Sequence, residues 1–600
     1  MKKNTILINI LINLLKYINY NNLRKTFRYL IGLVVFIFFE LKKIRILYRY
    51  FFGFFFKEIN FVNFILKNFG YEKKAIFKDQ NLNKFLEKNK KYIKNKKKKS
   101  KKKIVVECLI NHPIYTIRAG VLSSSLSNIV GAETCGLIRK GDLKSKAILE
   151  SFGIKKIILL KNFNLLTRLK FFYKSIFLTN GLLNIREILN LKINNIEIGK
   201  SAYEHFIRFV GYPPKNINWK LIYFFSEALI YLNKSNEIIK KNLPEYWVQS
   251  ELQFVPHRIF SQNALKQKIK LVSMSDIKKV GIKVYKNFSE KNINRHKISK
   301  KLFDIIYKKY KNKILNSSNN LFFNKQKIQF GKEIHQKILK NKKIETIIFN
   351  TKNNFKSSYG WKNNYPIVLI LSHQMTDGIF GNSWNLFEND NEWLKQTIEF
   401  LKNKKVNVII KKHPSEKFYN SKINTEKIFF ECTSNNINNI KLFIKEHDLK
   451  NISKFIDVSI TSHGSAGYQY PILSIPTIIC GETYYSNLGF TIEPKTIKEY
   501  IKLLNNLDKI KKLKLNSINK AKVFLYIFYE LSRVEMPLIY YSNIRMDYDK
   551  NKFWKETLKV QNRYNKEKNK FNKFFEHQIR NLNSNIIRYD LINDLKNISF

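Results

Sequence analysis

The side chains in this chain best placed to do chemistry are the histidines, serines, glycines and lysines that directly follow apolar runs. In VIIKKHPSEKFY, His413 and Pro414 come straight after such a run, and proline ends the strand there because it lacks an amide donor. An imidazole at a strand end can donate to a phosphate oxygen, with Lys411 or Lys412 adding charge; the plainer reading is a capped turn. In FIDVSITSHGSAGYQYP a second run ends in Ser462, His463, Gly464, Ser465, Ala466 and Gly467 and opens a helix. Small residues there let backbone amides approach an anion, the hydroxyls add donors, and a helix N-terminus contributes roughly 0.3 to 1 kcal/mol of dipole attraction. The alternative is an ordinary turn with serine as N-cap. Two more loops carry suitable groups. SHQMTDGIFGNSW at 372–384 offers Asp377, Gly378 and Gly381, and GETYYSNLGF at 481–490 offers Glu482, Thr483 and Tyr484 for a ribose, base or sugar. Asp377 reads equally as a turn residue, and Tyr484 as packing.

These loops need a scaffold that brings strand ends to one rim. Ile104–Ile110 reads as a buried strand, Ala119–Val130 as a helix, and Thr134–Ile138 and Lys155–Leu160 as further strands. The rhythm restarts at Pro366: Ile367–Leu371 is a strand, Trp393–Asn403 a helix, and Val406–Ile410, Lys454–Thr461 and Thr477–Cys480 are strands. Such alternation predicts an α/β chain of two parallel sheets covered by helices, over residues 101–330 and 331–520. In a doubly wound sheet the carboxyl ends of the strands face the ligand crevice, so the four loops belong on one rim. Residues 1–100 form a basic, aromatic-rich segment closed by a Lys-rich stretch from Lys88 to Lys103, and 521–600 read as charged helices.

A chain of 600 residues exceeds what one core serves, and 44% hydrophobic content is enough to fold several. The net charge of +65 accompanies an excess of Lys, Asn, Ile, Phe and Tyr, residues that share A/T-rich codons; attraction to anionic lipid or a phosphorylated acceptor is the other source. The apolar runs Tyr29–Phe39 and Tyr48–Phe56 are too short to span a bilayer, and Arg24, Lys25, Arg28, Lys42, Lys43 and Arg45 flank them. They fit an interfacial helix on an anionic inner-membrane surface as well as a hairpin packed on the protein. Cys108, Cys135, Cys432 and Cys480 show neither a CxxC pair nor metal-ligand spacing, so no disulfide framework and no metal cofactor is expected, in keeping with a cytoplasmic location.

From Pro366 to Phe490 the order and wording of the loops resemble the bacterial capsule and surface-polysaccharide glycosyltransferases of GT-B type, including the Kdo-transferase-like capsule synthesis proteins. The segments that carry it are NEWLKQTIEFL, VIIKKHPSE, FIDVSITSHGSAGYQYP and PTIICGETYYSNLGF. That family usually shows Lys-Pro-His-Pro where this chain has Lys411, Lys412, His413 and Pro414. A weaker likeness covers IVVECLINHPIYTIRAGVL, NIVGAETCGLI and IEIGKSAYEHFIRFVGY. The resemblance implies two Rossmann-like domains facing a cleft, an acceptor domain first and a donor domain second. It also implies a nucleotide-sugar co-substrate such as CMP-Kdo or a UDP-sugar, a glycan or glycolipid acceptor, and no bound metal. An inverting transfer needs a base in the first domain, for which Glu133, Glu204, His112 and His205 are candidates, while Arg118 and Arg208 can hold acidic acceptor groups. The periodicity of SAYEHFIRF puts Glu204 on the polar face of a helix.

Two other readings stand beside this one. A CDP-polyol phosphotransferase of teichoic-acid type also carries His-Pro and Ser-rich phosphate loops. A non-enzymatic basic protein would bind nucleic acid or membrane, although no RNP-type aromatic motif, zinc finger or helix-turn-helix is present and no nucleic-acid partner is expected.

Overall fold

The computed structural model describes residues 28–37, 40, 79–92, 102–317, 347–539 and 550–581, apart from 111, 161–162, 277–278, 295, 382–384, 415, 417–420, 434–436, 445–446 and 448. The expected second apolar run at 48–56 and most of its basic flank lie outside these residues, as do most of the Lys-rich stretch before residue 102 and the polar stretch after 317.

The first domain holds β1 (Lys103–Glu107), β2 (Glu133–Arg139), β3 (Lys156–Leu160), β4 (Tyr246–Gln249), β5 (Lys270–Ser275) and β6 (Lys279–Tyr285). The second holds β7 (Ile367–Leu371), β8 (Asn407–Lys411), β9 (Ile440–Leu442), β10 (Val458–Thr461) and β11 (Thr477–Ile479). The first sheet runs β3-β2-β1-β4-β5 and the second β9-β8-β7-β10-β11, all parallel, with β6 antiparallel on the edge of the first. Both orders step outward from the first strand and then reverse, so each sheet has a switch point beside it: β1/β4 in one, β7/β10 in the other. The chain is therefore two Rossmann-like domains, as the alternation of elements predicts.

The strands read as unbroken apolar runs because both sheet faces are covered. In β7, Val368 and Ile370 pack with Trp393, Leu394 and Ile398 of the helix Asp390–Leu401, while Ile367 and Leu369 pack on the other side with Phe355, Ile452 and Phe455. Period-two alternation thus feeds two cores, and neither face needs a polar residue. In the first domain the helix Pro113–Val130 begins earlier than its apolar pattern suggests, since His112 caps it, Pro113 opens it and Gly131 ends it in the left-handed region.

After the helix Leu515–Tyr526 packs on the second domain, the chain returns to the first. There β12 (Val534–Glu535) pairs antiparallel with β6, and Phe553, Trp554, Tyr564, Phe571 and Phe575 of the helices Lys550–Gln561 and Tyr564–Asn581 enter the core around Leu82, Phe85 and Leu122. The helix at 28–37 lays Tyr29 and Phe36 on Tyr173 and Phe172, with Gly32 against Ile176, and leaves Leu30, Val34 and Ile37 exposed. Among the described residues no helix is long and apolar enough to cross a membrane.

The domains meet on named contacts. Glu204 of the helix Ile198–Val210 accepts from the Phe380 amide at 2.6 Å, and Arg258 donates to the Phe380 carbonyl at 2.9 Å. Gln253 donates to the Gly378 carbonyl at 3.4 Å and Asn389 to the Tyr203 hydroxyl at 3.2 Å.

Candidate functional site

Register builds the site. Leu371 at the end of β7 pairs with Lys411 at the end of β8 on one side and with Thr461 at the end of β10 on the other. Two residues past each of these lies a histidine: His373, His413 and His463. Parallel strands sit about 4.8 Å apart, so equal offsets from an aligned register put the three rings in a row. His373 stands in the middle, its centroid 4.1 Å from that of His463 and 5.6 Å from that of His413. The row straddles the β7/β10 switch point, where a doubly wound sheet takes its ligand.

Beneath the row lies Asp390, in the first turn of the helix capped by Asn389, whose side chain accepts from the Glu392 amide. One carboxylate oxygen is 3.3 Å from His373 Nδ1 and the other 3.6 Å from His463 Nδ1. Burial would raise this carboxyl, but the two imidazoles and the Ser462 hydroxyl hold it well below the usual carboxylate range, and a helix N-terminus favours the same charge. Burial opposes a proton on His373, yet Asp390, with help from Asp377, raises its pKa above the ordinary histidine value. His463 is pushed down to about 4 by burial and by His373. Asp390 thus favours the protonated form of His373, whereas His463 is neutral at neutral pH.

Around it, Glu416 braces the loops after β7 and β8 through Ser372 and Thr425, and burial raises its carboxyl. Lys411 is buried enough for its ammonium pKa to fall, and its Nζ lies 5.9 Å from the Phe443 ring centroid, whereas Lys412 is 2.8 Å from Glu426. Pro414 is exposed at the turn.

Several expected site residues do other work. Gly467 is buried, and a Cβ there would lie 1.9 Å from the Tyr485 hydroxyl; its amide is taken by the Gly464 carbonyl, so this glycine permits packing and does not cradle an anion. Gly464 accepts from Tyr485, and Ser465 is exposed at the opening of the short helix Ala466–Ile472. Gly378 serves contact between domains, since a Cβ would meet Gln253 Oε1 at 1.9 Å. Asp377 accepts from the Gly378 amide and lies 3.9 Å from Arg208. Tyr484 stacks on Phe528, centroids 4.8 Å apart and planes 13° from parallel, within an aromatic cluster; it packs and does not face a sugar. Glu482 is buried against Lys297.

The proposed bases are also relocated. Glu133 is exposed at the opening of β2, the end of a parallel strand opposite the ligand rim. Glu204 is not on a solvated face: it is 1% exposed and engaged by Arg258 and two backbone amides, because the second domain covers that side of its helix. His112 caps its helix with Nδ1 accepting from the Ile114 amide, which leaves the proton of a neutral ring on Nε2 and removes the lone pair a base needs. His205 sits 3.6 Å from Glu227 between Phe209 and Phe224, and Arg118 is buried over Tyr115.

Sequence reading missed His373 and Asp390. The signal for the first was present in the repeated strand-Ser-His of ILILSH and VSITSH. It also missed Glu107 at the end of β1, which pairs with His257 Nδ1 at 2.9 Å in the first domain, both buried. His373, Asp390 and His463 together also form a set able to hold a metal ion, with one ligand atom from each lying within 4.8 Å of the others.

No family model matches the sequence, and no curated protein matches it. Among solved structures, the chain is similar to the beta Kdo 2,7 transferase KpsC of Thermosulfurimonas dismutans, at 13% identity over 62% of this chain and 98% of that one, with a TM-score of 0.28. It is similar to the beta Kdo 2,4 transferase KpsC of the same organism at 11% identity over 48% and 80%, TM-score 0.27. A glycosyltransferase from Rickettsia africae ESF-5 gives 13% identity over 77% and 97%, TM-score 0.22.

Proposed function

We propose that this chain is a GT-B-type, metal-independent glycosyltransferase that moves a sugar from a CMP- or UDP-activated donor, CMP-Kdo among them, to a surface polysaccharide or lipid-linked acceptor. The observation that carries this reading is the row of His463, His373 and His413 on three register-matched strand ends at the switch point of the second domain. His413, with His373 beside it, meets the donor's phosphate and stabilises the charge that develops there as the sugar leaves. The resemblance of these same loops to capsule glycosyltransferases supports the choice of leaving group.

In the first domain the base is His257, held by Glu107 through Nδ1 so that Nε2 is the nitrogen able to take the acceptor's proton. The protein works at the cytoplasmic face of the membrane, with Leu30, Val34 and Ile37 of the helix at 28–37 turned toward the lipid.

The test is nucleotide binding by wild type and His413→Ala, using CMP, UDP and CDP-glycerol. Loss of a charge-assisted hydrogen bond of roughly 1.5 to 3 kcal/mol weakens CMP or UDP about 10- to 100-fold with the fold unchanged. Equal affinity in the two proteins would reject the role of His413. Transfer of glycerol phosphate from CDP-glycerol, identified in the acceptor product, would replace sugar transfer with phosphate transfer.

A further inference from the structure

We propose that His373, Asp390 and His463 form a binding site for one divalent transition-metal ion of zinc type, seated beneath the histidine row and structural in role, so that the transfer itself stays metal-independent. The three residues come from the loop after β7, the first turn of the helix Asp390–Leu401 and the loop after β10, so no spacing in the sequence announces the set.

Geometry separates a metal site from a simple ion pair. A charge-assisted N–H···O bond runs about 2.7 to 2.9 Å, and neither contact here is that short. With bonds of about 2.0 to 2.1 Å to nitrogen and oxygen, a tetrahedral ion holds its ligand atoms roughly 3.3 Å apart. The two Nδ1-to-carboxylate distances are 3.3 and 3.6 Å, to different oxygens, and one ligand atom from each of the three side chains lies within 4.8 Å of the others, so the set needs only a small contraction to reach that geometry.

Hydrogen bonding points the same way. Asp390 is 3% exposed, and its Oδ2 is buried without a directed hydrogen bond, a costly arrangement for a carboxylate unless a cation completes it. Both imidazoles present the same nitrogen, Nδ1, toward the one carboxylate, that of His373 lying also 3.4 Å from the Gln374 carbonyl.

Ligand chemistry and space select the ion. Two imidazoles and a carboxylate suit zinc, cobalt or iron. A small pocket lined by Asp390, Ser462, His463 and Cys480 adjoins the set and has room for a water. Three protein ligands and one water make a four-coordinate zinc site. Such an ion would tie together the loops on both sides of the switch point and leave Nε2 of His373 as a donor at the rim.

The experiment uses the full chain, stripped with a chelator and titrated with Zn²⁺ or Co²⁺, with metal content measured after gel filtration. The expected result is one equivalent bound at micromolar or lower concentration, an intense tetrahedral Co²⁺ visible spectrum, and a melting temperature that rises with Zn²⁺. His463→Gln should bind at least 100-fold more weakly and lose the Co²⁺ spectrum, and Asp390→Asn, checked for folding by circular dichroism, should do the same. His413→Ala should keep one equivalent. No stoichiometric binding by wild type, or undiminished binding by folded His463→Gln, would overturn the site. Nucleotide affinity, measured separately with and without chelator, reports on the transfer proposal and leaves this result unaffected.

Discussion

Replacing Glu204 with alanine should loosen the joint between the two domains. The carboxylate is fully buried and accepts from the Phe380 amide at 2.6 Å, from Arg258 at 2.7 Å and from the Phe254 amide at 3.4 Å. Arg258, itself buried, would keep only the Phe380 carbonyl at 2.9 Å and Glu197 at 3.7 Å. Breaking a buried ion pair from one side costs about 3 to 5 kcal/mol, and an orphaned buried amide about 1 to 3 kcal/mol. The two losses overlap, and Glu197 recovers part of the first, so a net cost of about 4 kcal/mol is expected. Chemical denaturation should show that loss, and limited proteolysis should find the loop at 377–381 newly accessible. Glu204→Gln keeps an acceptor for Phe380 but places an amide against Arg258, so it should fall between the two. If Glu204→Ala unfolds within about 1 kcal/mol of wild type and resists protease equally, Glu204 is not the joint described here.

Gly467→Ala should destabilise by about 1 to 3 kcal/mol as its methyl meets the Tyr485 hydroxyl 1.9 Å away, and Tyr485→Phe in the same chain should restore part of the loss in thermal melts. Lys283 gives a pH test: burial, reinforced by Lys297 and opposed by Glu290, pushes its ammonium down to about 7 from 10.5. Between those values the unfolded chain binds more protons than the folded one, so this group's destabilisation is complete below about 7 and fades as pH rises. The stability advantage of Lys283→Met over wild type should therefore be largest near pH 6.5 and shrink by pH 9, and an advantage that does not change with pH would contradict the assignment.

The elements were legible because parallel strands buried on both faces have no polar side to break their runs: Ile367–Leu371 stands where it reads, and the other named strands fall within a few residues of theirs. Loops of His, Ser and Gly after those runs were legible as chemistry for the same local reason, and His413 does lie beside the loop that holds His463, through His373. Other features depend on what lies across the fold. The helix periodicity of SAYEHFIRF marks one face as polar, but only the second domain's Phe380 decides that this face is buried. Tyr484 and Gly467 look like ligand residues until Phe528 and Tyr485 are seen against them.

Composition, period and strand-end residue types were thus set locally by the chain, and with them two α/β domains and a rim rich in histidine, serine and glycine. Which histidines stand side by side, and that Asp390 lies under them, was decided by sheet order: β7 lies between β8 and β10 although 86 residues separate Leu371 from Val458. Contacts between parallel strands are nonlocal, so the register that aligns Leu371, Lys411 and Thr461 is a property of the assembled sheet and of no single segment.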